Sequence, residues 1–426
     1  MGGRLLFSDF FRNISLNRFI GEPFLVFDIG TFSVKSLHVE AKSGAAKVVS
    51  FSNTQYASGD INADGSFNVP GITNACRSCL EELKSHVSYG RRFTNKVVLG
   101  IGGGFVHGKT LTQSYIRDYP NEELSEGEFS NIVQKVQQRN YEQIRRDFKR
   151  ETGRSELEVY LINGALEDIK IDGYQVVNPI GFRGKEVSCG LFNSYIAKGH
   201  LAAFEGIIKS LKLELVSVIS QPHAAFSSLI LNEIAETDFI LIDIGGSSTE
   251  ISLARKGRLD DIRSISLGGS SFTKSISENL KVGFLEAENI KRIFAEGGVA
   301  KYAAKRIEAI IMADVELFLR GLEMILSDLS QVSLLPSKIY IYGGGSRIPI
   351  VSKAVKQQQW RAPLSFFAKP VLVNFTPGRI GCLDNALKDE VLWAAPFALA
   401  RMYLRELKRD DQISKNIRRS LRLIQG

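Results

Sequence analysis

The stretch "FILIDIGGSSTEISL", residues 239–253, runs through apolar residues to Asp243, breaks at Gly245 and Gly246, and continues through Ser247, Ser248 and Thr249. A short apolar run, a glycine break and a second alternating run predict a strand, a tight turn and a returning strand. An earlier stretch, "FLVFDIGTFSVKSLHV" at 24–39, follows the same plan around Asp28, Gly30, Thr31 and Ser33. Glycine permits close backbone approach, and exposed N–H groups beside short hydroxyls can hold a phosphate. A carboxylate at a strand end can hold a hydrated Mg²⁺. One such hairpin is equally well a turn with no ligand. Two of them, half a chain apart, are what two related domains would present to a polyphosphate, its metal between Asp28 and Asp243.

The rest of the sequence suits that plan. A chain of 426 residues exceeds the size at which one core stays single. With 44% hydrophobic and 23% charged residues it reads as a soluble globular protein. No stretch has the roughly 20 apolar residues of a spanning helix, and no signal-peptide pattern is present. Four cysteines make no disulfide framework. Cys76 and Cys79 form a lone CxxC in a helical stretch, without a second pair to complete a metal site, and read as reduced, partly buried thiols. The net charge of +8 is concentrated toward the tail, where residues 401–426 carry eight Lys or Arg against Glu406, Asp410 and Asp411. The remaining charged faces lack interleaved aromatics, which argues against nucleic acid.

Further elements follow in order. "NKVVLGIGGG" (95–104) predicts a buried strand ending in glycines, and Ser125 and Glu128 are spaced as a capping box opening a long charged helix. "ISLGGSSFTKSI" (265–276) predicts a turn at Gly268 and Gly269 leading into a helix. In "FLEAENIKRIFAEGG" (284–298), Glu288 and Lys291 share one helix face, either toward a ligand or as a surface ion pair. "SKIYIYGGGSRIPIVSKAV" (337–355) predicts a strand, a turn and a helix, with Gly343, Gly344, Gly345 and Ser346 offering bare backbone to a flat base.

This order of motifs resembles the actin, heat-shock chaperone and sugar-kinase ATPase superfamily, and within it the bacterial division protein FtsA. "DGYQVVNPIGFRGKEV" (172–187) is similar to the segment closing the FtsA-type insert, and "GIGGGFVHG" (100–108) to its start. The resemblance implies an α/β, actin-like ATPase fold: two related domains around a nucleotide cleft, with an inserted subdomain in the first. It divides the chain into an amphipathic extension (1–22), a first domain (23–104 and 196–236), the insert (105–195), a second domain (237–269 and 335–404) with a small subdomain (270–334), and a basic tail (405–426). It further implies ATP and Mg²⁺ as ligands. Gly30, Thr31, Phe32, Ser33 and Lys35 would form the first phosphate loop, and Gly245, Gly246, Ser247 and Ser248 the second. Gly268, Gly269, Glu288, Lys291, Gly343, Gly344, Gly345 and Ser346 would hold the nucleoside. Asp28 and Asp243 would hold the metal, and Gln221 and Asp243 would serve the chemistry. The partners implied are the tubulin-like protein FtsZ, further copies of the chain in filaments, and an anionic membrane, at the cytoplasmic face of the division site.

Two positions depart from the family pattern. Gln221 stands in "QPHAAF" where the division proteins usually have Glu, and Glu250 stands where many relatives have Asp. A neutral amide orients water without taking its proton, so slow ATP turnover is expected. "DIGTFSVK" also leans toward PilM, the pilus-assembly relative, which captures a peptide of a membrane partner. A small-molecule kinase is a further alternative, disfavoured because no substrate motif is recognisable.

At the tail, "ISKNIRRSLRLIQG" (413–426) places Ile413, Ile417, Leu421 and Ile424 on one helical stripe, with Lys415, Arg418, Arg419 and Arg422 opposite. An interfacial helix attracted to anionic lipid has this design, and so does a last helix packed on its own core. The N-terminal stretch (4–19) also forms an apolar face, with Leu6, Phe7, Phe10, Phe11 and Ile14. Membrane insertion, partner docking and folding onto the body remain open for it.

Overall fold

The computed structural model describes residues 22–42, 45–56, 66–87, 93–153, 155, 158–232, 238–330, 333–357, 359–381, 387–388 and 390–408. The expected amphipathic ends, with Phe7, Phe10 and Phe11 at one and Ile413 to Ile424 at the other, lie outside these residues.

Strands β1 (Phe24–Ile29), β2 (Ser33–Lys42), β3 (Ala45–Gln55), β4 (Lys96–Ile101) and β9 (Glu214–Ser220) form a sheet ordered β3-β2-β1-β4-β9. Strands β10 (Phe239–Ile244), β11 (Thr249–Arg255), β12 (Arg258–Ile265), β13 (Lys338–Tyr342) and β14 (Val371–Asn374) repeat that order as β12-β11-β10-β13-β14. Both begin with an antiparallel hairpin and add parallel strands on the other side of its first strand. The two hairpins share one register: Asp28 is paired with Lys35 and Asp243 with Glu250. Each turn closes with the same bond, Gly30 N–H to Ser33 O (3.2 Å) and Gly245 N–H to Ser248 O (3.0 Å). The chain is thus built on a duplicated unit.

Strand alternation sorts the faces. In the first sheet Leu25, Phe27 and Ile29 pack against helices α1 (Val69–Ser85) and, further on, α3 (Lys198–Ser210). The alternate residues Phe24 and Val26 face α4 (Gln221–Asn232) and α9 (Ala394–Lys408). In the second sheet Ile240, Ile242 and Ile244 pack against α5 (Gly269–Leu280), α6 (Phe284–Ala295), α7 (Lys301–Ser330) and α8 (Pro349–Lys356), while Phe239 and Leu241 face α4 and α9. Helices α4 and α9 therefore form a layer shared by two lobes. Parity places Asp28 with Phe24 and Val26, and Asp243 with Phe239 and Leu241, so both carboxylates emerge on the sides that face each other.

The long helix α2 (Glu126–Thr152) covers a sheet of β5 (Val106–Ile116), β8 (Glu186–Ala197), β6 (Val159–Ile171) and β7 (Tyr174–Gln175). Ser125 Oγ accepts from Glu128 N–H (3.2 Å), capping the helix. Asp172 closes the far end, its carboxylate accepting from the backbone of Lys185 (2.9 Å) and Glu186 (2.7 Å). This sheet is not separate from the lobes. Strand β5 pairs antiparallel with β12, which makes one nine-stranded sheet with the second lobe although β5 follows directly on β4 of the first. No helix among the described residues is long and apolar enough to cross a membrane.

Cys76 and Cys79 are free and fully buried in α1 against the first sheet. Their CxxC spacing reflects a helix face turned inward.

Candidate functional site

The two hairpins meet at a cleft whose lining includes Asp28, Gly30, Thr31, Phe32, Ser33 and Lys35 from the first and Asp243, Gly245, Gly246, Ser248 and Glu250 from the second. Gln221, Gly269, Glu288, Lys291, Gly343, Gly344 and Gly345 complete most of the set anticipated from sequence. Three anticipated residues do not line it. Ser346 Oγ donates to Gly343 O (2.7 Å), bracing the glycine turn. Gly268 packs on the second hairpin, with Gly246 O close against it, and the Ser247 hydroxyl is buried outside the lining.

Three of the carboxylates lining this cleft, Asp28, Asp243 and Glu250, act on one another, and Lys35 is the cation beside the first two. Lys35 Nζ donates to Asp28 Oδ2 at 3.0 Å, and the Gln221 amide donates to Asp28 Oδ1. Asp28 is fully buried, and burial raises its pKa against the opposing pull of Lys35. Desolvation pushes Asp243 up to about 7, Lys35 lowering it and Asp28 raising it. Desolvation and the Asp243 charge push Glu250 up to about 8, opposed by backbone N–H groups of Gly103 and Gly104. Such a cluster, short of positive charge, favours an added cation.

The residues fit a magnesium nucleotide. The donors are all oxygen, as a hard cation requires, and Mg²⁺ is held by one or two carboxylates with phosphates and water supplying the rest. No group of three His, Cys, Asp or Glu side chains placed to hold a metal ion occurs among the described residues. The hydroxyl oxygens of Ser247 and Ser248 and Glu250 Oε1 are buried with no protein partner. Orphaned polar atoms at a glycine hairpin are suited to a phosphate. Bound Mg²⁺ would screen phosphate charge, with Asp28 and Asp243 as the acids to hold it.

Across the cleft the hairpins touch. Ser247 N–H donates to Thr31 Oγ1 (3.0 Å), and Gly103 N–H donates to Glu250 Oε2 (2.9 Å). Gly246 lies against Phe32, where a Cβ would come within 3.2 Å of the Phe32 backbone. The remaining cavity is about 170 Å³, below the roughly 300–1,000 Å³ of small-molecule sites. Entry of a nucleotide requires these contacts to part.

Glu288 and Lys291 are buried, which excludes a solvated surface ion pair. Lys291 Nζ contacts Glu288 Oε2 (2.7 Å), Gly269 O (2.9 Å) and Thr273 Oγ1 (2.6 Å), and sits 5.7 Å from the Phe32 ring centre. The pair joins α6 to the turn that carries Gly269. At the glycine turn 343–345, Gly343 has φ +88°, and a side chain there would collide with Asp243 Oδ1. Tyr342, Arg347 and Leu392 also line the cleft and were not anticipated. Tyr342 was readable as the strand end before the glycines, whereas Leu392 arrives from a distant segment without local signal.

Comparison with known proteins agrees with this architecture. A structure of the PilM-PilN type IV pilus biogenesis complex matches with a TM-score of 0.62 at 17% identity, covering 89% of this chain and 98% of that one. This chain has the actin-like ATPase fold. Residues 240–388 match the family model of cell division protein FtsA. FtsA of Bacillus subtilis (strain 168) is 39% identical over 80 residues, 19% of this chain and 18% of that protein. FtsA of Streptococcus pneumoniae serotype 2 (strain D39 / NCTC 7466) is 21% identical over 295 residues, 68% of this chain and 59% of that protein. The matched regions thus span less than two thirds of these relatives' own length.

Proposed function

We propose that this actin-like protein binds ATP with Mg²⁺ between its duplicated hairpins and acts in cell division as an FtsA-like adaptor. In this role it polymerises and tethers FtsZ to the cytoplasmic face of the membrane. The observation that carries nucleotide binding is the pair of hairpins in one register, Asp28–Lys35 and Asp243–Glu250, meeting at a cleft lined by Ser248, whose hydroxyl is unpartnered. Thr31, Ser33, Lys35, Ser247 and Ser248 would hold phosphates, the Gly343–Gly345 turn the base, and Glu288 and Lys291 the ribose side. Gln221, committed to Asp28, orients water poorly in this arrangement, which supports slow turnover. The match of residues 240–388 to the division family supports the adaptor role.

Titration of MgATP by calorimetry, with Lys35→Met as control, tests nucleotide binding. Co-sedimentation of the full chain with FtsZ and anionic liposomes tests tethering, with residues 409–426 removed as the control for the basic tail. Absence of FtsZ from the liposome pellet overturns the adaptor reading. The PilM-like alternative, capture of a peptide from a membrane partner in pilus assembly, is favoured by the structural match over 89% of the chain. Peptide binding without FtsZ recruitment selects it.

A further inference from the structure

The cleft described above admits a nucleotide only if the lobes move apart, yet a join remote from the cleft resists that motion. The insert belongs to the first lobe by chain connection. Its strand β5 is nevertheless built into the second lobe's sheet, with Gly108 opposite Ile262 and Lys109 opposite Asp261. Thr110 Oγ1 donates to Leu259 O, extending the seam by a side-chain bond. Beyond it Arg258 of β12 pairs with Asp168 of β6 at 2.8 Å, and the Asp168 side chain is only 6% exposed. The seam has no spare room at Gly108, since a Cβ there would lie 2.5 Å from the tip of Ile262 and 2.9 Å from that of Phe192 on β8. Sheet hydrogen bonds and a buried ion pair are short-ranged and break over small displacements. A rotation of one lobe against the other therefore shears this seam.

We propose that the β5–β12 seam is a strap that limits how far and how fast the lobes separate, so that nucleotide exchange is governed from the insert. This rests on the reading that the cleft takes a nucleotide, but the strap itself is measurable without one. The amides of Gly103 and Ser247 bond across the cleft and exchange their hydrogens only when it opens.

The experiment follows hydrogen exchange by mass spectrometry on peptides containing these two residues, in the full chain without nucleotide. Gly108→Val, which crowds the seam through Ile262 and Phe192, is expected to speed exchange roughly tenfold, or about 1.4 kcal/mol of opening free energy. A disulfide between Lys109→Cys and Asp261→Cys, on facing rungs, is expected to slow exchange when oxidised and release it when reduced. Equal exchange in the oxidised and reduced forms of this pair overturns the strap, and it decides alone if Gly108→Val does not fold. Release of a fluorescent adenosine diphosphate should follow the same order. Altered exchange in a chain that fails to bind the fluorescent adenosine diphosphate would refute the nucleotide reading and leave the strap supported.

Discussion

Lys35 and Glu250, a base and an acid, occupy the corresponding rung in the two copies of one hairpin, opposite Asp28 and Asp243. The first copy is therefore neutralised from within, and the second sets two acids side by side. This asymmetry within a duplicated unit determines how each lobe responds to substitution and pH.

Lys35→Met leaves Asp28 buried without its cation. Removing one partner of a buried pair costs on the order of 3 kcal/mol, and urea unfolding should show that loss together with failure to bind MgATP. An unchanged midpoint would mean that Lys35 is not what stabilises the Asp28 carboxylate.

Glu250 is pushed up to about 8 and Asp243 to about 7, both by burial first. The folded state therefore holds protons that the unfolded chain has released between about pH 4 and 8, and stability falls with rising pH across that window. Glu250→Gln removes part of that slope. Its melting temperature relative to the parent chain should rise from pH 5 to pH 8 in metal-free buffer, and a pH-independent difference would contradict the assignment.

Gly343→Ala meets two obstacles, a left-handed backbone at φ +88° and the Asp243 carboxylate in the path of its Cβ. The strain alone is of order 1–3 kcal/mol. Loss of MgATP binding should exceed that of Gly344→Ala, where the nearest atom is Leu392 Cδ1 at 3.5 Å.

Burial holds the Cys76 thiol well above its ordinary range, with the neighbouring Cys79 adding to the shift. Native protein should alkylate at neither residue on the timescale that labels an exposed thiol, and both should react once unfolded. Rapid labelling in the native state would reopen a redox role for the CxxC.

The hairpins were legible because everything that makes them is local: an apolar run, an acid at the strand end, glycines at the turn and a returning alternation. Parity then fixed the side on which Asp28 and Asp243 emerge. The β5–β12 seam left no comparable trace, since its requirement is the missing side chain of Gly108, one glycine among 38. Nor could the sequence disclose that Gln221 and Lys35 would share the two oxygens of Asp28. Ser346 was misplaced because a serine after glycines suits a ligand and a turn brace equally, and the carbonyl of Gly343 lies nearer.

The packing of α9 bears on biosynthesis. Tyr403 stacks edge-on against Phe24 at 4.8 Å between ring centres, and Leu399 fills the space over Gly100. One face of the earliest strand is thus covered by nearly the last helix described. In a growing chain the part of that face reserved for α9 stays uncovered after α4 has packed beside it. The first lobe therefore cannot finish its packing until this late helix is made, which couples its maturation to synthesis of the second.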